Sequence, residues 1–303
     1  MSAGSVRVLL AAAVLAFYVW NFRVHPVART DRGGFEPGTP GASTSVSSLD
    51  EVRRMTAEAD RLYLAGQYEA ALAPLSALRG RTPDSEIVLE RLAKVYGQLD
   101  RPADAAEAWE RFITVSPTPK DACPALPRAY EALGHPDRAF DAYERCYRME
   151  PGDPDLILYL ALACERRGDP VRALDLYEKG AAVAPRYTDI SVGLARVALR
   201  TGKLDVAARR AAAAVEADPG SADARLVAAQ VAVRQGRTTE ARAHLTAALS
   251  RHEQYADLHV LMAVVDRMDG RRTAALAHVN RALELEPHNG DALSLRQALA
   301  EAR

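Results

Sequence analysis

Cysteine, histidine and carboxylate side chains can bind metals, attack carbonyls or move protons, but their spacing in this chain favours none of these. The three cysteines, Cys123, Cys146 and Cys164, form no C-x-x-C pair, so neither a zinc-thiolate site nor a redox dithiol is expected. The seven histidines (His25, His135, His244, His252, His259, His278 and His288) are dispersed along the chain. HExxH, G-x-S-x-G, P-loop and dinucleotide fingerprints are missing. Asp155, Asp189, Asp223 and Asp257 recur 34 residues apart. Each heads a helical stretch, where a carboxylate complements the helix dipole. No catalytic residue, metal site or cofactor is expected. A net charge of -1 gives no electrostatic drive toward nucleic acid.

The aspartate spacing belongs to a wider pattern. Pro83, Pro117, Pro151, Pro185, Pro219 and Pro287 stand 34 residues or a multiple apart, with Glu253 filling the single gap. Ala71, Ala105, Ala139, Ala173, Ala207, Ala241 and Ala275 keep the same period without a miss. A third ladder is Gly66, Asp100, Gly134, Gly168, Gly202, Gly236 and Gly270. Between its rungs the apolar residues follow i, i+3, i+4, i+7, as in Leu89, Leu92, Ala93 and Tyr96, then Ala105, Trp109 and Phe112. That is one helix, a glycine turn and a second helix per unit. Pro102, Pro136 and Pro170 occupy the first position of a second helix, where a missing N–H costs nothing. The expected fold is all-α, with seven tandem hairpins over 51–289 (52–85, 86–119, 120–153, 154–187, 188–221, 222–255 and 256–289). An amphipathic capping helix over 290–303 covers the last hairpin.

A 34-residue helix–turn–helix unit with an aliphatic-small pair, a turn Gly, A-x3-[aromatic or Leu] and a closing Pro resembles the tetratricopeptide repeat (TPR). Leu160-Ala161, Gly168, Ala173, Tyr177 and Pro185 carry the match in the fourth unit. Leu92-Ala93, Tyr96, Ala105, Trp109 and Pro117 carry it in the second. The resemblance implies a right-handed superhelix whose concave groove is lined by the first helices, with protein or peptide partners bound there and no catalysis. Carried onto this chain, the groove positions give an aliphatic strip of Leu158, Val192, Leu226 and Val260. Flanking it are Arg128, Arg166, Arg196, Arg200, Arg234 and Arg267. Such a surface suits a partner with apolar and acidic residues. The chaperone-tail clamp of the family needs Lys and Asn where this chain has Thr56/Asp60, Glu90/Lys94 and Pro124/Arg128. An Hsp70/Hsp90 tail binder is therefore not implied.

Departures gather in particular units. The third has Pro124 and Pro127 inside its first helix, which should start late or kink. Ser191, Arg225 and His259 stand where the family carries a bulky apolar residue, and Glu58-Ala59 replaces the aliphatic-small pair of unit one. Cys123 and Cys146 occupy roughly level positions on the antiparallel helices of unit three. They form either a disulfide, which would place the domain outside the cytoplasm, or two small buried apolar residues.

Before the repeats, Val8 to Phe22 is free of charge and bracketed by Arg7 and Arg23. A helix there would span roughly 22 Å against a core of about 30 Å, a deficit that snorkelling arginines offset. Residues 1–24 read as an uncleaved single-pass anchor, with contact to the membrane through residues 6–23. A cleaved signal peptide is the alternative, although no good A-x-A site follows. Residues 25–50, rich in Gly, Pro, Ser and Thr, read as a flexible linker. Arginines after the anchor argue for a cytoplasmic repeat domain. The short N-tail and the linker argue for the exported, periplasmic side, which is the reading adopted. The resulting expectation is a membrane-anchored interaction scaffold of the bacterial envelope. The alternatives are a secreted or periplasmic adaptor and a regulatory subunit of an envelope-assembly complex.

Overall fold

The computed structural model describes residues 43–301. The described residues from Glu51 onward form one compact unit. The expected anchor over 1–24 and the linker up to residue 42 lie outside the described residues. Among the described residues no helix is long and apolar enough to cross a membrane.

Fifteen α-helices and one 3-10 turn make up the described residues, and no strand is found among them. They are α1 (Ser43–Leu64), α2 (Tyr68–Arg81), α3 (Glu86–Gln98), α4 (Pro102–Val115), α5 (Ala125–Ala132) and α6 (Pro136–Met149). Next come α7 (Pro154–Arg166), α8 (Pro170–Val183), α9 (Thr188–Arg200), α10 (Leu204–Ala217) and α11 (Ala222–Arg234). The chain ends with α12 (Thr238–Leu249), α13 (Ala256–Met268), α14 (Arg272–Leu285) and α15 (Gly290–Glu301). One expectation needs correction. The last residues of the expected flexible linker, 43–50, are the first two turns of α1. Val46 and Leu49 share the three-residue spacing of Val52 and Met55, so the helical period begins before the polar composition ends.

Each hairpin turns the same way for the same reason. Gly66, Gly134, Gly168, Gly202, Gly236 and Gly270 all have φ between 70° and 76°, and Asp100 takes the remaining rung at 53°. At the turn of α7, Gly168 N–H donates to Glu165 O at 3.0 Å and Asp169 N–H to Cys164 O at 2.9 Å. This paired bonding satisfies the last carbonyls of the first helix. Pro102, Pro136 and Pro170 then open α4, α6 and α8 at their first positions.

Packing follows the ladders. The seven ladder alanines are at most 3% exposed. Four residues on, Leu75, Trp109, Tyr143, Tyr177, Ala211, Leu245 and Val279 are also buried. A bulky side chain at this position requires the next first helix to yield space. A Cβ on Gly193 of α9 would lie 2.4 Å from Tyr177 Cζ, so only glycine lets that ring lie against the helix. The core runs from Ala59 to Val231, and two further clusters carry it through Val265 and Leu299, each repeat packing on its neighbours. Ala292, Leu295 and Leu299 of α15 close the last hairpin, while Arg296 and Gln297 face solvent.

Unit three resolves its prolines by shortening. Pro119–Ala122 forms a 3-10 turn, and α5 begins only at Ala125. Pro127 thereby falls in the first turn, where its missing N–H has no intrahelical partner to lose. Ser191 and His259 are buried, and Arg225 reaches back to donate to Pro219 O at 2.8 Å. At the first repeat Ala59 is 2% exposed and Glu58 faces solvent.

Asp100 is the one turn residue with a Cβ at positive φ. Asp100→Gly should raise stability by about 0.5–1 kcal/mol, and Gly168→Ala should lower it by about 1 kcal/mol. Thermal and urea unfolding check both, and equal midpoints for the three proteins would contradict the account.

Candidate peptide groove

The first helices α5, α7, α9, α11 and α13 carry the expected groove residues, but the structure does not leave them equally available. Leu158 and Val192 are each 7% exposed, so the aliphatic strip is closed in repeats four and five. Leu226 and Val260 are half-buried and line an open cleft of about 520 Å³.

The arginines divide in the same way. Arg128 donates to the Tyr159 hydroxyl, with its guanidinium 4.8 Å over that ring. Arg166 is paired with Glu131. Arg196 and Arg200 both bind Glu165, at 2.7 and 2.8 Å, and Glu165 also accepts from Tyr177 Oη at 2.7 Å. Glu131 and Glu165 stand one repeat apart, as do Arg166 and Arg200, so this is one inter-repeat ion pair used twice. Burial and then the Glu165 hydrogen bond push the Tyr177 phenol up. All four stitch neighbouring first helices together, and Arg166, Arg196 and Arg200 have their charge met by a carboxylate. Arg234 and Arg267, by contrast, are exposed at the last turns of α11 and α13 with no ion pair among the described residues. The arginine count suggested a cationic strip along the whole groove. Repeat-to-repeat carboxylates neutralise three of the six, Arg166, Arg196 and Arg200, and a list of arginines cannot show that.

The aspartate ladder is likewise partly consumed. Asp155 accepts from the Tyr187 hydroxyl, and Asp223 accepts from Tyr255 Oη at 2.6 Å. Asp257 is exposed and lines the cleft together with Asp291, which continues the ladder into α15.

The cleft is built by α11, α13 and α15. Leu226, Val260, Leu261, Val264 and Leu295 supply its apolar surface, and Gln230, Asp257, Arg267, Asp291 and Ser294 its polar groups. A second cleft, also about 520 Å³, is lined by Glu178, Leu194, Val206, Arg209, Arg210 and Ala213. It opens beside alanine-rich α10, where Ala211 replaces the ring that Tyr177 supplies one repeat earlier. Its lining is more charged and its apolar area smaller.

Two other clusters hold side chains capable of chemistry. Cys123 and Cys146 are joined as a disulfide with Cα atoms 5.8 Å apart, and Cys164 is free and buried. In repeat seven, His259 Nδ1 lies 3.2 Å from His278 Nδ1, while His259 Nε2 donates to Glu253 O at 2.9 Å. With His259 Nε2 carrying a proton, its Nδ1 accepts and His278 Nδ1–H donates. Burial holds the His278 imidazole below its usual pKa, against the pull of Asp266. Asp266 is itself met by Arg242 at 2.8 Å and Arg271 at 3.4 Å. Among the described residues no group of three or more His, Cys, Asp or Glu is arranged to hold a metal ion.

A row of helical hairpins stacked on a continuous core, with an open cleft on the first helices, defines a helical solenoid. Tetratricopeptide repeat models match residues 128–161 and 192–258, about a third of the chain. A comparison with curated proteins gave no match. Among solved structures, a tetratricopeptide repeat protein from Parabacteroides merdae is similar at 14% identity and TM-score 0.63, covering 83% of this chain and 99% of that one. The C-terminal part of a TPR repeat-containing protein from Cytophaga hutchinsonii is similar at 16% identity and TM-score 0.60, covering 79% and 98%. The APC/C hetero-tetramer Cut9-Hcn1 is similar at 16% identity and TM-score 0.62 over 82% of this chain. There the match spans about half (49%) of the matched chain.

Glu165 holds three donors with a side chain only 9% exposed. Glu165→Gln should therefore lower stability by about 2 kcal/mol, because two arginines lose their counter-charge together. Denaturation followed by circular dichroism reads this. An unchanged midpoint would mean that water serves the arginines equally well.

Proposed function

We propose that this protein is a non-catalytic scaffold that binds a protein or peptide partner in its concave groove, at the C-terminal cleft between α11, α13 and α15. The observation that carries the reading is that cleft's free apolar surface, bordered by charged side chains that no neighbouring repeat neutralises. Ligand sites combine apolar area with a few convergent polar groups in this way. Tetratricopeptide repeats and the solenoid fold support a protein–protein role in general terms. No chemistry on the partner is assigned to the chain.

The reading includes a membrane tether through residues 6–23, with the repeats on the exported side. The uncharged stretch from Val8 to Phe22 supports the tether, and the Cys123–Cys146 pairing supports an oxidising compartment. A soluble adaptor released by signal cleavage is the second reading.

Affinity capture from solubilised membranes tests the groove. Ser294 is exposed in the cleft, so Ser294→Trp should fill it and deplete the partners recovered with the native protein. An identical set of captured proteins from both would remove the cleft from the function. Compartment is read separately, by protease accessibility in intact cells and mass spectrometry without reductant. A repeat domain protected in intact cells but digested after permeabilisation of the outer membrane, with Cys123 and Cys146 linked, is expected. A mature N-terminus beyond residue 24 would replace the tether with the soluble adaptor.

A further inference from the structure

We infer that the C-terminal cleft selects its peptide by charge polarity. A cationic side chain sits at Asp257 and Asp291, aliphatic side chains on the floor, and a carboxylate at Arg267. This inference rests on the groove reading above and names the chemistry of the partner.

The polarity arises from departures at two repeat positions. Asp155 and Asp223 each accept from a tyrosine 32 residues later. At that distance from Asp257 stands Asn289, whose side chain is engaged elsewhere. It donates to Glu286 Oε2 and accepts from Ala292 N–H, each at 3.0 Å. Asp257 is left without a hydroxyl partner. Asp291 is also exposed, and neither carboxylate has an ion pair or hydrogen bond among the described residues. Two carboxylates from adjacent first helices therefore border one end of the cleft.

At the other end the sign is reversed. Glu131 and Glu165 hold the rung on which their arginine partners converge. Three repeats after Glu165, the equivalent residue is Arg267, exposed, unpaired among the described residues and lining the same cleft. Between the two ends lie Leu226, Val260 and Val264. Asp257 and Arg267 are ten residues apart on α13, about 15 Å along a helix. An extended peptide at about 3.3 Å per residue covers that length with four or five residues. The partner segment is thus a Lys or Arg and an Asp or Glu separated by three or four residues, with aliphatic side chains between. A uniformly acidic segment, which the arginine count alone favours, would meet the aspartate pair and be repelled.

The test is selection of a random nine-residue display library on the full chain. The enriched peptides are then synthesised and measured by fluorescence anisotropy. Peptides with the cation–aliphatic–anion spacing should be enriched. Asp257→Asn combined with Asp291→Asn should weaken their binding about tenfold, Arg267→Gln several-fold, and raised salt should weaken it further. Ser294→Trp, and independently Gln230→Trp on α11, should abolish binding, with unfolding midpoints confirming that the variants are folded. Enriched peptides lost on blocking the cleft but indifferent to the asparagine and glutamine variants would overturn the polarity and leave the groove reading standing. Peptides indifferent to both blocks, or a library with no cleft-dependent enrichment, would overturn both.

Discussion

Two antiparallel helices can cross closely only where the side chain between them is small, and this chain supplies an alanine at that point seven times in register. A close crossing repeated at one period lets each hairpin stack on the next, and such stacking makes a solenoid. Other features depend on it. The left-handed turn residues reverse the chain within a distance the crossing permits. Four positions after each alanine a buried residue, bulky in every repeat but the fifth where it is Ala211, fills the space beyond the contact. Tyr177 shows the limit of that space, since its ring requires a glycine at position 193.

Because each repeat touches mainly its neighbours, polar interactions are also nearest-neighbour, and they vary along the array. In the middle, Glu131 and Glu165 draw in arginines from the next first helix, and Asp155 draws in a tyrosine. The groove there is knitted shut electrostatically and its aliphatic positions are buried. Toward the C-terminal end the partners are missing, so the same positions remain open. A chain of near-identical units thereby acquires one distinct surface through a few substitutions rather than through any insertion.

Unit three adapts differently. Its two prolines cannot sit inside a helix of ordinary length, so the first helix gives up its opening turns to a 3-10 segment. Cys123 lies at that weakened start, bonded to the last turns of α6. The covalent link ties the irregular start of the hairpin to the end of its second helix.

Most of the architecture was legible in the sequence, because hairpin formation depends on local periodicity and on residues whose backbone preferences are strong. The prolines, turn glycines and alanines located the helices before any tertiary information. The capping helix and the late start of α5 were legible for the same reason. The availability of the groove was not. Whether Arg196 is a free cation or the partner of Glu165 depends on a residue 31 positions away brought across an inter-repeat contact. The same holds for Asp257, left open because Asn289 stands in place of a tyrosine. Periodicity tells which residues share a face, whereas pairing across that face depends on side-chain reach and local burial. The sequence by itself therefore determined the repeat, its hairpins and the candidate positions. Only the tertiary structure decided which of those positions remain free, because charge neutralisation between repeats is a property of packed neighbours.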